Sequence, residues 1–263
     1  AAPAASQDGR AASPDAFLAP PPEAVDLPPD GGLRYGAEGE DVAFGLRVGP
    51  DGDIAIGGFL SAGPDTSPAW WMRFDSGGLP ERSSLLPSGD AGAIYWLSPL
   101  ANGDTLALGD TEVDGGYHAA VWRLSPDGGI LWSADAVEVP GQSSAVAAAE
   151  VPGGDVVVGL SGSDPDDAPF AIAVRASAGG DELWRRPIPD LDDVAGMMLR
   201  ADGSLLVAGN KATDSGNEIR LVALAQDGSS KPDTALPTDG RMNLVRAAAM
   251  PGGGTVMAVS LSN

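Results

Sequence analysis

The sequence predicts an all-β fold: a five-bladed β-propeller of four-stranded antiparallel blades, with one blade shared between the N- and C-terminal parts of the chain. Three observations lead there. A turn followed by an apolar run returns at nearly constant spacing. The 37 glycines and 23 prolines among 263 residues suit many short strands joined by turns, not helices. The stretch "VDLPPDGGLRY" (25–35) nearly repeats "VWRLSPDGGILW" (121–132), so the second half of a unit stands ahead of the first whole one.

The recurring turn reads "PDGDIAIGG" (50–58), "ANGDTLALG" (101–109), "PGGDVVVGL" (152–160), "ADGSLLVAG" (201–209) and "PGGGTVMAV" (251–259). With Gly52, Gly103, Gly154, Gly203 and Gly253 as markers, the steps are 51, 51, 49 and 50 residues. A period of this length marks a repeat architecture. Ahead of each marker lies one strand (A), and the apolar run after it is the next (B). Alternating segments closed by a glycine turn follow as strand C: "AWWMRFDSGG" (69–78), "AVWRLSPDGG" (120–129), "AIAVRASAGG" (171–180) and "RLVALAQDG" (220–228). Outer runs such as "ILWSADAV" and "ELWRRPI" supply strand D.

Residues 25–35 then read as strands C and D of a blade whose A and B strands lie in 244–260, which closes the ring at five and removes an exposed sheet edge. The domain reading is a flexible Ala/Pro-rich leader over 1–22 and a propeller domain over 23–263. On the motifs "LxxxGxxLW" and "DGDIAIGG", the chain resembles bacterial propeller-repeat proteins, the PQQ-like repeats and related surface-protein repeats. That resemblance implies the fold and leaves scaffold, binding protein and enzyme all open.

Composition narrows the function. With 37 acidic residues against 15 basic ones the formal charge is −22, which disfavours nucleic acid and anionic lipid as partners. No run of about 18 apolar residues marks a transmembrane helix. The absence of cysteine excludes thiolate chemistry and Cys-ligated zinc. The leader "AAPAASQDGRAASPDA" fits a mature exported protein, hence an extracytoplasmic setting: periplasmic, cell-surface or secreted.

In a propeller the B–C loops and D–A crossovers share one face, and here they are longer and acidic. That face is the expected binding surface. Trp96, Asp110, Glu112, Asp114, Tyr117 and His118 are its candidate residues; His118 is the single histidine, which excludes a His-based metal site. Asp164, Asp166 and Asp167 offer hard oxygens for calcium but lack the spacing of a calcium loop, so no cofactor, or calcium alone, is expected. Asp41, Asp90 and Asp193 at inner-strand starts are the candidate carboxylates of a glycosidase or lyase. Arg73, Arg123 and Arg175 hold one register in strand C and read as blade-to-blade bonds, broken by Ala223 in the fourth unit and Asp26 in the split one. The leading expectation is a non-enzymatic scaffold that binds another protein of an extracytoplasmic complex through the acidic face, whose charge suits a basic partner. The alternatives are a lectin-like carbohydrate binder and an axial-carboxylate enzyme.

Overall fold

The computed structural model describes residues 41–49, 51–61, 66–134, 139, 141–240, 242–249 and 255–261. They form strands only. The first sheet holds β1 (Val42–Val48), β2 (Ile54–Phe59), β3 (Ala69–Phe74) and β4 (Pro80–Leu85). The second holds β5 (Gly92–Pro99), β6 (Thr105–Val113), β7 (Gly116–Leu124) and β8 (Ile130–Ala134). The third comprises β9 (Gln142–Glu150), β10 (Val156–Ser163), β11 (Pro169–Ala176) and β12 (Glu182–Pro187). The fourth comprises β13 (Gly196–Leu199), β14 (Leu205–Thr213), β15 (Gly216–Leu224) and β16 (Ser230–Gly240). β17 (Met242–Ala249) and β18 (Thr255–Leu261) pair as a two-stranded sheet. Within every sheet the strands follow chain order and run antiparallel, the four-stranded unit the repeat predicts. No helix among the described residues is long and apolar enough to cross a membrane.

Four of the five marker glycines are explained by one turn, and Gly253 lies outside the described residues. Leu100 N donates to Asp104 O at 2.9 Å and Gly103 N to Leu100 O at 3.0 Å, a three-residue hairpin loop whose last residue must be left-handed. Gly52, Gly103, Gly154 and Gly203 occupy that place with φ of 79°, 91°, 86° and 81°.

Each sheet packs its apolar face on the next, giving one buried cluster per junction. Trp71, Ile94 and Trp122 fill the first junction, and Leu108, Val121, Val158 and Leu160 the second. Val157, Ile188, Val207 and Val222 fill the third; Ala208, Ile219, Leu244 and Ala247 the fourth. Trp70 and Trp71 point to opposite faces of β3 and are both buried, Trp71 in the first junction and Trp70 beside Met72 and Phe74 on the other face.

The strand-C arginines do bridge neighbouring sheets. Arg123 Nε donates to Asp104 Oδ2 at 2.7 Å in its own sheet, and its other end donates to Ala178 O in the next at 2.8 Å. Arg175 repeats this with Asp155 at 2.9 Å and Gln226 O at 3.0 Å, and Arg73 with Asp53 at 3.2 Å and Pro126 O. Trp132 and Trp184 donate their indole N–H to the same two carbonyls, Ala178 O and Gln226 O, both at 3.1 Å. The fourth sheet has Ser204 and Ala223 at the two positions, so both halves of the clasp are exchanged together.

Two expectations change. The B–C connections of the second and fourth sheets are not loops: β6 and β7 extend to a two-residue turn at Asp114 and Gly115, with φ of 52° and 78°, and β14 and β15 meet similarly. The fourth unit's outer strand, β16, runs on to Gly240, into the stretch "PTDGRM" (237–242) whose sequence suggests a D–A crossover. The leader and residues 25–35 lie outside the described residues. On the sheets that would flank the latter, Phe44, Leu46 and Val48 of β1 and Val245, Val256 and Val259 of β17–β18 are exposed.

Candidate functional site

The A strands carry a β-bulge at one repeat position. The unpaired residue is Phe44 in β1, Tyr95 in β5, Val146 in β9 and Val245 in β17. A bulge re-aims the side chain it releases. In β5 it turns Tyr95 into a hollow of about 310 Å3 between the second and third sheets, on the face carrying the B–C connections. The floor is Asp110 near the end of β6, with Tyr117 of β7 on one side. Opposite stand Ser143 and Ser144 at the start of β9 and Ser161 and Ser163 at the end of β10.

Pairing decides which candidates share this place. Glu112 faces Tyr117 across the ladder and Asp110 faces Ala119, so Asp110, Glu112 and Tyr117 point to one side. Thr111 and His118 form the intervening pair and point to the other. Asp114 sits in the turn. Trp96 packs on the second-junction cluster and carries the Arg246 guanidinium over its ring at 4.7 Å, so its face is already covered.

Asp110 is the unusual group. One step of the repeat later its position holds Ser161, and one further holds Asn210. All three reach the next sheet's innermost segment. Ser161 Oγ accepts Val194 N at 2.8 Å. Asn210 donates to Leu244 O at 2.9 Å, accepts Leu244 N at 2.7 Å and donates to both Asp193 oxygens at 3.0 Å. Asp110 Oδ2 accepts from Ser144 Oγ at 2.7 Å, but Oδ1 is buried with no hydrogen-bond partner. Where every polar atom of the Asn210 side chain is engaged, Asp110 Oδ1 makes no hydrogen bond of normal geometry, although the Tyr95 hydroxyl and the Ala93 N–H act on the same carboxylate. Burial raises its pKa above the ordinary 3.8, opposed by the Ser144 and Tyr95 hydroxyls and the Ala93 backbone. The Tyr95 phenol is pushed up in turn, by burial first and by the Asp110 charge next, and stays protonated through the neutral range.

The serines complete the lining. Ser143 Oγ accepts Ala119 N at 3.0 Å and Ser161 Oγ accepts Val194 N, which leaves each an O–H to donate. Asp110 is the single carboxylate among the lining residues.

The other candidates lie elsewhere. Asp41 Oδ1 accepts Ser61 N at 3.0 Å, Asp193 is engaged with Asn210, and the Asp90 carbonyl accepts Ser67 N at 2.9 Å. The three are not brought together in the hollow. Asp164 Oδ1 accepts the N–H groups of Asp166 and Ala168, both at 2.9 Å, and Asp167 takes the left-handed place of that turn with φ 61°. Among the described residues no three acidic or histidine side chains converge as metal ligands.

Solved structures share the fold. Virginiamycin B lyase from Staphylococcus aureus superposes with a TM-score of 0.56 at 15% identity over 82% of this chain and 62% of its own. The chain thus spans less than two thirds of the lyase's length. Endo-arabinase from Bacteroides thetaiotaomicron gives 0.52 at 9% identity over 82% and 87% of the two chains. A protein of unknown function from Dyadobacter fermentans gives 0.51 at 17% identity over 82% and 74%. The fold is β-propeller-like. No family model matches the chain, and no curated protein matches it in sequence. At these identities the likeness concerns fold alone.

Proposed function

We propose that the protein binds a neutral, hydroxyl-rich ligand of the carbohydrate class in the cleft between its second and third sheets. The observation that carries this is a hollow of about 310 Å3 lined by four serine hydroxyls, two tyrosine rings and the Asp110 carboxylate. Hydroxyl and carboxylate groups lining one hollow are the partners a hydroxyl-rich ligand needs for hydrogen bonds. The serines supply donors, and the rings supply flat apolar surface. No cation lines the cleft to hold an anionic ligand. Two-carboxylate hydrolysis lacks its second acid here, so binding without turnover fits better. The scaffold reading rests on surface charge alone, and the acids of the Asp164 turn are partly engaged in holding that turn.

The test is calorimetry and ligand-observed NMR with simple glycosides against the protein and its Asp110→Ala variant. Binding by the parent, weakened about tenfold or more in the variant as a hydrogen bond to a charged group is removed, supports the reading. Equal binding by both, or none by either, defeats it.

We further propose a ring of five blades, with residues 25–35 completing the β17–β18 sheet. The likeness of 25–35 to 121–132 and the exposed apolar residues of β1 and β17–β18 support it. Deleting residues 23–36 should then lower the melting temperature clearly; an unchanged one counts against closure.

A further inference from the structure

The cleft has two arms with a common wall. Tyr95, Asp110 and Tyr117 line the hollow of about 310 Å3 between the second and third sheets and also one of about 250 Å3 between the first and second. The arms differ in chemistry. Beyond the shared wall, the larger is lined by Gln142, Gly162 and four serines, all presenting hydroxyl, amide or backbone groups. The smaller is lined by Phe59, Ala91, Gly92 and Ala93 with a single hydroxyl from Ser67. Phe44, about half exposed, extends the apolar surface at its edge: its ring stands 6.1 Å from Phe59 and 5.3 Å from Tyr95. The aromatic set is therefore on one side of Asp110 and the hydroxyl set on the other.

We propose that the ligand is an amphipathic glycoside, with its sugar ring in the serine arm and an aromatic or alkyl aglycone in the Phe59 arm, joined at Asp110. This rests on the carbohydrate reading of the cleft. Each hollow is near the lower limit of small-molecule sites, ~300 Å3, and the two adjoin at Tyr95, Asp110 and Tyr117, so a two-part ligand would reach both across that wall. The polar arm fixes orientation through hydrogen bonds. The apolar arm adds affinity by removing aglycone surface from water. A free sugar would fill the first arm only and leave Phe44 and Phe59 exposed.

The experiment compares methyl, phenyl and aminoethyl glycosides of glucose, galactose, mannose and arabinose in both anomers, by calorimetry. The parent protein is set beside its Phe59→Ala, Phe59→Leu and Ser144→Ala variants, each checked for folding by circular dichroism. Phe59 is partly exposed at the end of β2, so its truncation should leave the sheet intact. The expected result is a phenyl glycoside bound at least ~10-fold tighter than its methyl counterpart. That preference should be lost in Phe59→Ala, largely kept in Phe59→Leu, and retained in Ser144→Ala, which weakens both ligands alike. Equal binding of methyl and phenyl glycosides overturns the two-arm proposal and leaves carbohydrate binding standing. Tighter binding of the aminoethyl glycosides overturns it in favour of a cation in the aromatic arm. Binding of none overturns the carbohydrate reading and this proposal together.

Discussion

The Arg246 guanidinium lies 4.7 Å from the centre of the Trp96 ring, and the two residues hold the same place in the repeat, 150 positions apart. Gly45, Ala147 and Gly196 take that place in the other sheets, so small residues leave room for one large pair. From β17, Arg246 also reaches Tyr95 O of β5 at 3.3 Å and Val146 O of β9 at 3.5 Å. It thus ties the inner strands of the second, third and fifth sheets together, although burial works against its charge. Both carbonyls belong to bulge residues, one of which presents its side chain to the cleft.

Removing this pair should loosen the inner strands. Arg246→Ala is expected to cost ~1–2 kcal/mol, from the cation–π contact and the lost packing of its stem. For a domain of about this size that lowers the melting temperature by roughly 2–8 °C. A double-mutant cycle with Trp96→Leu in urea should return a coupling of about 0.5–2 kcal/mol. Additive effects would show that the two residues do not interact in solution.

The clasps predict unequal costs at equivalent positions. Arg123 and Asp104 are buried, with side-chain exposures of 8% and 6%, whereas Arg175 and Asp155 stand at 18% and 23%. Breaking a buried pair from one side leaves an uncompensated charge, costing ~3–5 kcal/mol, and a more exposed pair costs less. Arg123→Ala should therefore destabilise more than Arg175→Ala in denaturant titration. The paired change Arg123→Met with Asp104→Leu should recover much of the loss, as the fourth sheet does with Ala223 and Ser204.

Asn210 takes the place of a sheet ladder between the fourth sheet and β17. Its amide closes both the N–H and the C=O of Leu244 while Asp193 holds the amide in place. Asn210→Ala strands both backbone groups in a site where Asn210 is only 7% exposed, so a loss of about 2–4 kcal/mol is expected. Hydrogen exchange should localise it: the Leu244 amide loses protection, while amides in β10 do not. Uniform loss throughout the chain would assign Asn210 a global role instead.

Much of this was legible in the sequence and part was not, for a physical reason. The period of the marker glycines follows from one turn geometry, and the arginine register from a contact each sheet repeats, so both are written locally. The cleft is not. Ser143 and Ser144 meet Asp110 only because consecutive sheets pack, and Tyr95, on the neighbouring strand of the same sheet, faces it only because a bulge turns it. A signal existed all the same: aligning the repeat puts Asp110, Ser161 and Asn210 at one position directly after the apolar run of strand B, where the first unit has Phe59. Asp114–Gly115 likewise carried the hairpin signal that makes the second B–C connection a turn and not a loop.

Asp110 itself should be a stability cost that serves the site. Its folded pKa is raised above the ordinary 3.8 by burial, so the folded state holds this proton more tightly than the unfolded one. The stabilising contribution of the protonated form is fully present below the unfolded value and is lost as pH rises through the folded one. At neutral pH the chain carries the penalty of a buried charge. Asp110→Asn keeps the shape and an acceptor for Ser144 but removes that charge. The variant should melt at or above the parent at pH 7, with the difference shrinking toward pH 3 as the parent carboxyl protonates. Melting curves of both proteins between pH 3 and pH 8 measure this directly. A variant less stable than the parent at pH 7 would mean that the ionised carboxylate is held by the Ser144 and Tyr95 hydroxyls and the Ala93 backbone more strongly than burial penalises it.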